Sequence, residues 1–254
     1  MKTALTIAGS DPTSGAGLQA DLKVFQHFGV YGLSAVSALT AQNTFEVNAI
    51  SQVDEGFLAE QLNTLLSDIR PDALKTGMLF SIGAIKVLAG IIRGYDLQNL
   101  VIDPVTVSSS GTSLIEDGAL DIMKDELFPL AKIITPNIYE ASAISGINIE
   151  NEEDMEKAAI QLKGLGVEIV IITGGHMKKE TLDLIYDGNK FTRLRGKKTK
   201  GEYHGTGCAF SAAITALLAK GLSVGESAQK AKEFVALAIE NAHNIGKGMR
   251  LLDV

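Results

Sequence analysis

The only cysteine of the chain follows a threonine between two glycines, at the start of a strongly apolar helical pattern. The segment reads His204-Gly205-Thr206-Gly207-Cys208. Backbone N–H groups of small residues at a helix N-terminus can surround an anion, which predicts a site for charge developing on a transferred phosphoryl group. In the first helical turn the dipole lowers a thiol pKa, so Cys208 could act as a general base. The alternative for Cys208 is ordinary packing in an apolar environment.

A second glycine-rich segment lies between a predicted strand and a predicted helix. It reads Gly9-Ser10-Asp11-Pro12-Thr13-Ser14-Gly15-Ala16-Gly17. Its glycines would let backbone N–H groups face a polar or anionic ligand at the helix start. The spacing Gly15-x-Gly17-x-x-Ala20 also fits a dinucleotide fingerprint, which keeps a Rossmann dehydrogenase open as an alternative. That fit lacks the acidic residue expected after the second strand, and a bare strand-to-helix turn is the remaining interpretation.

The elements that must position these segments alternate in type along the chain. Apolar runs rich in Val, Ile and Leu are separated by segments of helical period, which is typical of a mostly parallel sheet covered on both faces. The predicted strands are 3–8, 32–41, 47–53, 73–76, 100–103, 133–135, 167–173 and 182–186. The predicted helices are 17–28, 55–68, 82–92, 117–127, 137–145, 152–165, 206–219 and 224–241. Residues 187–200 are expected to form a hairpin or a flexible crossing. We therefore predict an α/β fold with three αβα layers, as one domain over residues 1–254.

Composition excludes several classes of protein. The chain has 254 residues and a net charge of -7, and it lacks the basic clusters that nucleic acid or anionic lipid would require. It has no apolar run long enough to span a bilayer and no signal-peptide pattern, so we expect a cytoplasmic protein without membrane partners. One cysteine and four histidines give no zinc-like cluster. The sequence also contains no Walker motif, so any phosphate site must be of another kind.

Several motifs, taken in order, carry a resemblance to a known family. They are Thr6-Ile7-Ala8-Gly9-Ser10-Asp11-Pro12, Ser14 to Lys23, Thr40-Ala41-Gln42-Asn43-Thr44, Lys75-Thr76-Gly77-Met78-Leu79, Asp103-Pro104-Val105, Thr135-Pro136-Asn137-x-x-Glu140, Gly174-Gly175-His176 and the Gly205 to Cys208 segment. Together they resemble the hydroxymethylpyrimidine/phosphomethylpyrimidine kinases of thiamine biosynthesis, which are ribokinase-like. The match covers nearly the whole chain and is more specific than any one motif.

The resemblance implies ATP-dependent phosphorylation of 4-amino-5-hydroxymethyl-2-methylpyrimidine and then of its monophosphate. It implies that Gly205, Thr206 and Gly207 form an anion hole, and that Cys208 takes the proton of the hydroxymethyl group. For the acceptor it implies a pocket in which the Gln42 carboxamide and the Asp21 carboxylate recognise the aminopyrimidine. The remaining residues of this pocket would be Met78, Gly9, Ala16 and Gly17.

The nucleotide side follows from the same resemblance. Asp103, Asn137 and Glu140 would position Mg²⁺ or its water shell, since hard oxygen ligands suit that ion. Helix capping is the alternative for Asn137 and Glu140, because Asn137 stands where an N-cap is expected. ATP would lie beside Gly174, Gly175 and Thr173, with Thr206 touching phosphate. The family also implies a homodimer.

Several positions depart from the family pattern and leave the substrate open. Thr173 replaces a common Lys, and Thr106 and Ser109 replace a Met and a Lys, which puts nucleotide affinity in question. Pyridoxal or pyridoxine kinase is the nearest alternative, because that acceptor is also a planar heterocycle with a hydroxymethyl arm. A non-catalytic ligand-binding module is a more distant one.

Overall fold

The computed structural model describes residues 1–107, 111–175 and 181–254. The strands are β1 (Thr3–Ser10), β2 (Tyr31–Gln42), β3 (Val47–Gln52), β4 (Ala73–Thr76), β5 (Leu100–Ile102), β6 (Ile133–Ile134), β7 (Ile169–Ile172), β8 (Thr181–Tyr186), β9 (Phe191–Gly196), β10 (Tyr203–His204) and β11 (Arg250–Leu251). The helices are α1 (Gly17–His27), α2 (Glu55–Leu66), α3 (Ile82–Gly94), α4 (Ala119–Ile122), α5 (Ile138–Ser145), α6 (Glu152–Lys163), α7 (Thr206–Ala219) and α8 (Val224–Glu240). Ser109 and His176 lie outside the described residues.

Nine strands form one sheet in the order β3-β2-β1-β4-β5-β6-β7-β8-β9. Its six central strands, from β2 to β7 in that order, pair in parallel. The edge strands β3, β8 and β9 pair antiparallel to their neighbours. The chain leaves β1 for β2 on one side and returns to β4 on the other, so the sheet has a switch point between β1 and β4. Open α/β sheets bind ligands at the carboxyl ends of strands beside such a point.

Apolar residues on the two faces of the sheet pack against different helices. Leu5 and Ile7 belong to a cluster with α2 to α6, whereas Ala4 of the same strand belongs to a second cluster with α1, α7 and α8. This alternation follows from the two-residue period of a strand. The structure confirms the predicted three-layer αβα arrangement around a mostly parallel sheet.

Most predicted elements are present, with ends that differ by a few residues, and two regions differ in kind. The predicted helix 117–127 is α4 followed by a π-helical turn at Met123–Leu127. The uncertain segment 187–200 contains β9, which pairs with β8 as a hairpin. The pair β10 and β11 was not predicted, because strands of two residues leave no periodic pattern.

The carboxyl-terminal segment packs on the turn that follows β2. Met249 donates its backbone N–H to the Thr44 carbonyl oxygen at 3.0 Å, and the N–H of Gly248 donates to Thr44 Oγ1 at 3.0 Å. β11 pairs in parallel with β10, directly before α7. Among the described residues, no helix has both the length and the apolar character needed to cross a membrane.

Candidate active site

A cavity of about 1000 Å³ opens at the carboxyl ends of the central strands. Residues after β1, β4 and β5 line it, including Asp11, Gly77 and Asp103, and α7 begins at its wall with Thr206. The volume lies at the upper end of the range for small-molecule sites, so the cavity can hold a heterocycle and a nucleotide phosphate chain. A smaller cleft of about 460 Å³ contains none of the predicted site residues.

The two glycine segments meet face to face. Gly205 has a φ of +82°, and a Cβ on it would lie 1.8 Å from the Gly15 carbonyl oxygen. A Cβ on Gly15 would in turn lie 2.6 Å from Cδ2 of the His204 ring. Gly17 has a φ of +62°, and its Cβ would lie 2.5 Å from the Gly9 carbonyl oxygen. The glycines therefore allow the protein to pack its own two loops, which the ligand-centred prediction did not foresee.

The first turn of α7 forms one wall of the cavity. Gly205, Thr206, Gly207 and Cys208 all line it. The first helical hydrogen bond runs from the Ala209 N–H to the Gly205 carbonyl oxygen at 2.9 Å. The N–H groups before Ala209 have no partner within the helix, as at every helix N-terminus, so they can bind an anion. This geometry fits the predicted anion hole.

The pKa of the Cys208 thiol is set mainly by its burial. Cys208 is half-buried, and burial of its thiol raises the pKa to about 12. The Lys75 charge and the Gly17 backbone N–H lower this pKa, but the carboxylate of Asp103 raises it further. Desolvation is therefore the largest influence on this thiol pKa, and the expected lowering by the helix dipole stays a prediction.

Lys75 is the buried cation of the site, and Asp21 holds it. The Lys75 side chain is 0% exposed, and its Nζ lies 2.7 Å from Asp21 Oδ1. Thr6 donates its hydroxyl to the other carboxylate oxygen of Asp21 at 2.6 Å. Burial opposes the charge on Lys75, but Asp21, Cys208 and Asp103 together outweigh it and raise the pKa of Lys75.

This pairing corrects the prediction that Asp21 accepts a hydrogen bond from the acceptor. Asp21 is 0% exposed and its two oxygens are already occupied, whereas Lys75 lines the cavity. Asp21 therefore positions Lys75. The one signal in the sequence was a lysine inside a short apolar strand, where a charge has to be paired.

The remaining acceptor residues lie together on the wall nearest β1 and β2. Gly9, Ala16, Gly17, Gln42 and Met78 all line the cavity. Met78 is 8% exposed, and its sulfur lies 3.1 Å from the position of a Cβ on Gly9. A side chain at position 9 would therefore press on the Met78 thioether. Gln42 contacts His204, whose part in the site was not predicted.

Two buried carboxylates, those of Asp103 and Glu140, line the cavity. Asp103 is 4% exposed and accepts a hydrogen bond from the Ser211 hydroxyl at 3.0 Å. Burial and then the charge of Asp103 raise the pKa of Glu140 to about 8. Neighbouring carboxylates with a raised pKa fit a hard cation, which would neutralise them. Within the described residues, no group of three or more His, Cys, Asp or Glu side chains forms a complete metal site.

Asn137 instead forms the N-cap of α5. Its Oδ1 accepts hydrogen bonds from the N–H groups of Tyr139 at 2.9 Å and Glu140 at 3.0 Å. Glu140 Oε2 accepts from the Asn137 N–H at 2.9 Å, which completes a capping box. The capping alternative is therefore realised. The predicted metal contact of Asn137 is corrected, because its oxygen already has two donors, and its role is to hold Glu140.

Of the segment predicted to face the nucleotide, residues 173–175, one part lines the cavity and one part packs inside the protein. Thr173 and Gly175 line the cavity, whereas Gly174 is buried and a Cβ on it would lie 2.0 Å from the Leu182 carbonyl oxygen. The Gly174 N–H donates to Asp183 Oδ1 at 3.0 Å. Gly174 therefore packs against β8, and the expectation that it faces a nucleotide is corrected.

Lys232 of α8 was missed by the sequence analysis. Its Nζ lies 2.7 Å from Asp183 Oδ2, and both residues line the cavity. A lysine on an amphipathic helix is typical of a solvated face, so nothing in the sequence distinguished it. Lys232 provides a cation on the side of the cavity where Thr173 stands in place of the lysine that is common in the family.

The fold and the cavity together define the ribokinase-like class of α/β phosphotransferases. The crystal structure of an ADP complex of Bacillus subtilis pyridoxal kinase matches with a TM-score of 0.93 and 38% identity, covering 99% of this chain and 97% of that chain. This similarity confirms the predicted ribokinase-like fold.

The profile of the phosphomethylpyrimidine kinase family matches residues 11–253, and the chain belongs to this family. The chain is 42% identical to the hydroxymethylpyrimidine/phosphomethylpyrimidine kinase of Bacillus subtilis over 248 residues, covering 96% of this chain and 92% of that protein. It is 44% identical over 246 residues to the thiamine biosynthesis bifunctional protein ThiED of Geobacter sulfurreducens, covering 96% of this chain and 50% of that protein. The chain is thus a phosphotransferase, and the dehydrogenase and non-catalytic alternatives are wrong.

Proposed function

We propose that this kinase phosphorylates the hydroxymethyl group of 4-amino-5-hydroxymethyl-2-methylpyrimidine and then its monophosphate, using ATP, in thiamine biosynthesis. The observation that carries the proposal is one cavity lined by Gln42 and Met78 for a ring, and by the turn from Gly205 to Cys208 for a phosphoryl group. The family relatives named above support the same acceptor.

The acceptor side positions a hydroxyl group next to the base. The carboxamide of Gln42 offers a donor and an acceptor to an aminopyrimidine edge, and Met78 packs against the ring. Cys208 Sγ, as the thiolate, takes the hydroxyl proton as the acceptor oxygen attacks the γ-phosphorus, and the bond from this phosphorus to the leaving ADP oxygen breaks. Lys75 and the Gly17 N–H favour the thiolate that this step requires. In a loose transition state the proton leaves late, so positioning and charge stabilisation supply most of the catalysis.

The nucleotide side supplies charge stabilisation. The N–H groups of Gly205, Thr206 and Gly207 would receive the negative charge of the transferred phosphoryl group. Asp103 and Glu140 would hold Mg²⁺ through oxygen or water contacts, and the ion would screen the ATP phosphates when bound. Thr173, Gly175 and Lys232 would face the rest of the nucleotide. The ADP complex of the structural neighbour supports ATP as the phosphate donor.

The test is turnover of each candidate acceptor by the purified chain. With Mg²⁺ and ATP, we expect release of ADP and formation first of the pyrimidine monophosphate and then of the pyrophosphate. Samples without acceptor measure ATP hydrolysis, and samples with excess chelator test the cation. Absence of any phosphorylated pyrimidine would overturn the proposed function.

Pyridoxal is the second candidate acceptor. The observation in its favour is the 0.93 TM-score with a pyridoxal kinase, since that fold binds a heterocycle with a similar hydroxymethyl arm. Parallel assays with pyridoxal and pyridoxine give the ratio of kcat/KM for the aminopyrimidine to kcat/KM for each vitamin B6 form. We expect this ratio to favour the aminopyrimidine.

The role proposed for Cys208 has its own test. Cys208→Ala should lower kcat by about 10²-fold or more, because general-base catalysis contributes about 10²–10⁴-fold. Binding of the acceptor, measured by calorimetry, should change little because the ring contacts remain. Wild-type kcat in the variant would exclude Cys208 as the base.

We also propose that the protein is a cytoplasmic homodimer. Leu39 at 51% and Phe45 at 55% exposure are large apolar side chains on and just beyond β2, where a second copy could cover them. Sedimentation equilibrium should give twice the 26.9 kDa mass of the chain. A monomer at micromolar concentration would contradict this assembly.

A further inference from the structure

A buried histidine joins the two glycine segments to the carboxamide proposed to bind the acceptor. His204 is 7% exposed and lies directly before the turn that starts α7. Its Nε2 lies 2.7 Å from Asp11 Oδ2 and 3.1 Å from the carboxamide nitrogen of Gln42. One ring nitrogen therefore faces both a carboxylate and an amide.

Asp11 determines which ring nitrogen of His204 carries a hydrogen. Besides His204, Asp11 accepts from the N–H groups of Thr13 at 2.8 Å and Ala16 at 2.9 Å, and from the Thr13 hydroxyl. Burial raises the pKa of Asp11, but the hydrogen bonds from His204 and then from Thr13 outweigh it and hold the pKa below its usual value. An ionised carboxylate only accepts hydrogen bonds, so the facing Nε2 must carry a hydrogen.

The other ring nitrogen indicates that there is no second hydrogen. His204 Nδ1 is buried and has no hydrogen-bond partner in the part of the chain that the structure describes. A bare ring nitrogen is an acceptor left idle, whereas an N–H there would be a buried donor without an acceptor and would cost more free energy. The geometry therefore favours the tautomer with its single hydrogen on Nε2.

This tautomer determines how the Gln42 carboxamide can face. An NH₂ group opposite an N–H places two donors 3.1 Å apart, which is unfavourable, whereas a half-turn of the amide places its oxygen there. After the half-turn, the amide nitrogen lies where the oxygen is now, 3.2 Å from Thr40 Oγ1. Thr40 gives its hydrogen to the Ser10 carbonyl oxygen at 2.9 Å and keeps lone pairs to accept one. The single Nε2 hydrogen then lies between Asp11 Oδ2 and the amide oxygen as a three-centre hydrogen bond, and the amide NH₂ donates to Thr40.

We propose that His204 is a positioning residue that fixes the direction of the Gln42 carboxamide and thereby the order of donor and acceptor presented to the substrate. The amide oxygen is held on the His204 side and the amide nitrogen on the Thr40 side. A heterocycle bound there must offer a donor and an acceptor in the complementary order, as an aminopyrimidine edge does. This inference deepens the proposed function and rests on it for the identity of the acceptor.

The kinetic test replaces the histidine in two ways. His204→Phe fills the space without a hydrogen bond, so KM for the aminopyrimidine should rise about tenfold, as expected for loss of one hydrogen bond worth ~1.4 kcal/mol. KM for ATP and kcat should change less than about threefold, a difference of roughly 0.65 kcal/mol. His204→Gln should restore KM to near the wild-type value, because a carboxamide NH₂ can donate to both Asp11 and the Gln42 oxygen. His243→Phe, at an exposed histidine outside the cavity, is the matched control.

A spectroscopic test does not depend on turnover. In ¹⁵N-histidine-labelled wild-type protein, the His204 ring, identified by its loss in His204→Phe, should show one protonated nitrogen, at Nε2. Hydrogen on Nδ1, or wild-type KM in His204→Phe, would overturn the inference. If the wild type fails to phosphorylate the pyrimidine, the proposed function fails and so does the acceptor named here. The NMR result then still decides the direction of the amide.

Discussion

The charge on Lys75 is the residue-scale feature that links the parts of the site. Its ammonium group pairs with Asp21, and its charge also acts on Cys208 and Asp103. A fully buried cation needs a charged partner, and Asp21 is that partner for Lys75. The reactivity of the thiol should therefore depend on Lys75.

Alkylation of Cys208 by iodoacetamide should report its raised pKa. Because the thiolate is the nucleophile, the rate should climb about tenfold per pH unit from pH 7 to 10 without levelling off. An ordinary thiol levels off near its pKa of about 8.5. The rate is measured by mass spectrometry of the unliganded protein. A plateau by pH 9 would show that burial does not control this thiol.

Removing the buried charge should make the thiol still less reactive. Lys75→Met alone would leave Asp21 buried without a partner, so the variant to use is Lys75→Met with Asp21→Asn, which keeps the volume. Alkylation at pH 8 should slow, because the lost Lys75 charge lowers the Cys208 pKa more than the lost Asp21 charge raises it. Lys132→Met is the control, since Lys132 pairs with Asn99 in the smaller cleft. An equal rate in both proteins would contradict this role of Lys75.

At the residue scale, the sequence indicated which residue types line the cavity better than it indicated which residues pair with each other. The segment from Gly205 to Cys208, which lines the cavity, was recognisable because glycine, helix start and thiol are adjacent in the chain. The pair of Lys75 with Asp21, and of Lys232 with Asp183, joins residues on different elements. No local pattern encodes such pairs, since they depend on which strands and helices become neighbours.

At the scale of elements, the contact between the loops before α1 and α7 fixes the site. Gly205→Ala should destabilise the protein severely, since a left-handed φ costs about 1–2 kcal/mol and the added Cβ also meets the Gly15 carbonyl. Gly221→Ala is the matched control, with a φ of +87° and no atom within 4 Å of its Cβ. Urea unfolding should show a clearly larger loss for Gly205→Ala. Equal losses would mean that the loops can separate freely.

Variants at two N-cap residues can distinguish an effect on stability from an effect on activity. Asn137→Ala and Asn151→Ala each remove an N-cap, of α5 and α6 respectively, and each should cost about 1 kcal/mol of unfolding free energy. Only Asn137 holds a residue of the cavity, Glu140, so only Asn137→Ala should also lower kcat/KM for ATP. Denaturation and steady-state kinetics check both effects. A similar kinetic loss in Asn151→Ala would point to a general effect of stability.

Regular elements were predictable because their periods are local. β4 and α7 have the predicted ends, and most other elements differ by one to four residues. The π-helical turn after α4 depends on packing rather than on any propensity. β10 and β11 are too short for a pattern, and residues 203 and 250 meet only in the folded chain.

For the whole molecule, the apolar clusters on the two sides of the sheet should unfold together. Leu88 is in the cluster with α3, and Ile214 is in the cluster with α7. Leu88→Ala and Ile214→Ala should each cost about 2–5 kcal/mol and shift the same single transition. Far- and near-ultraviolet circular dichroism in urea should therefore coincide. Two transitions, each moved by one variant, would contradict the single-domain prediction.

The hold of the carboxyl-terminal segment on Thr44 has a consequence for synthesis of the protein. Asp11, Lys75 and Asp103 leave the ribosome long before Met249, whose N–H reaches back to the turn after β2. The turn beside Gln42 therefore gains its contact with Met249 only when nearly all of residues 1–254 have been synthesised.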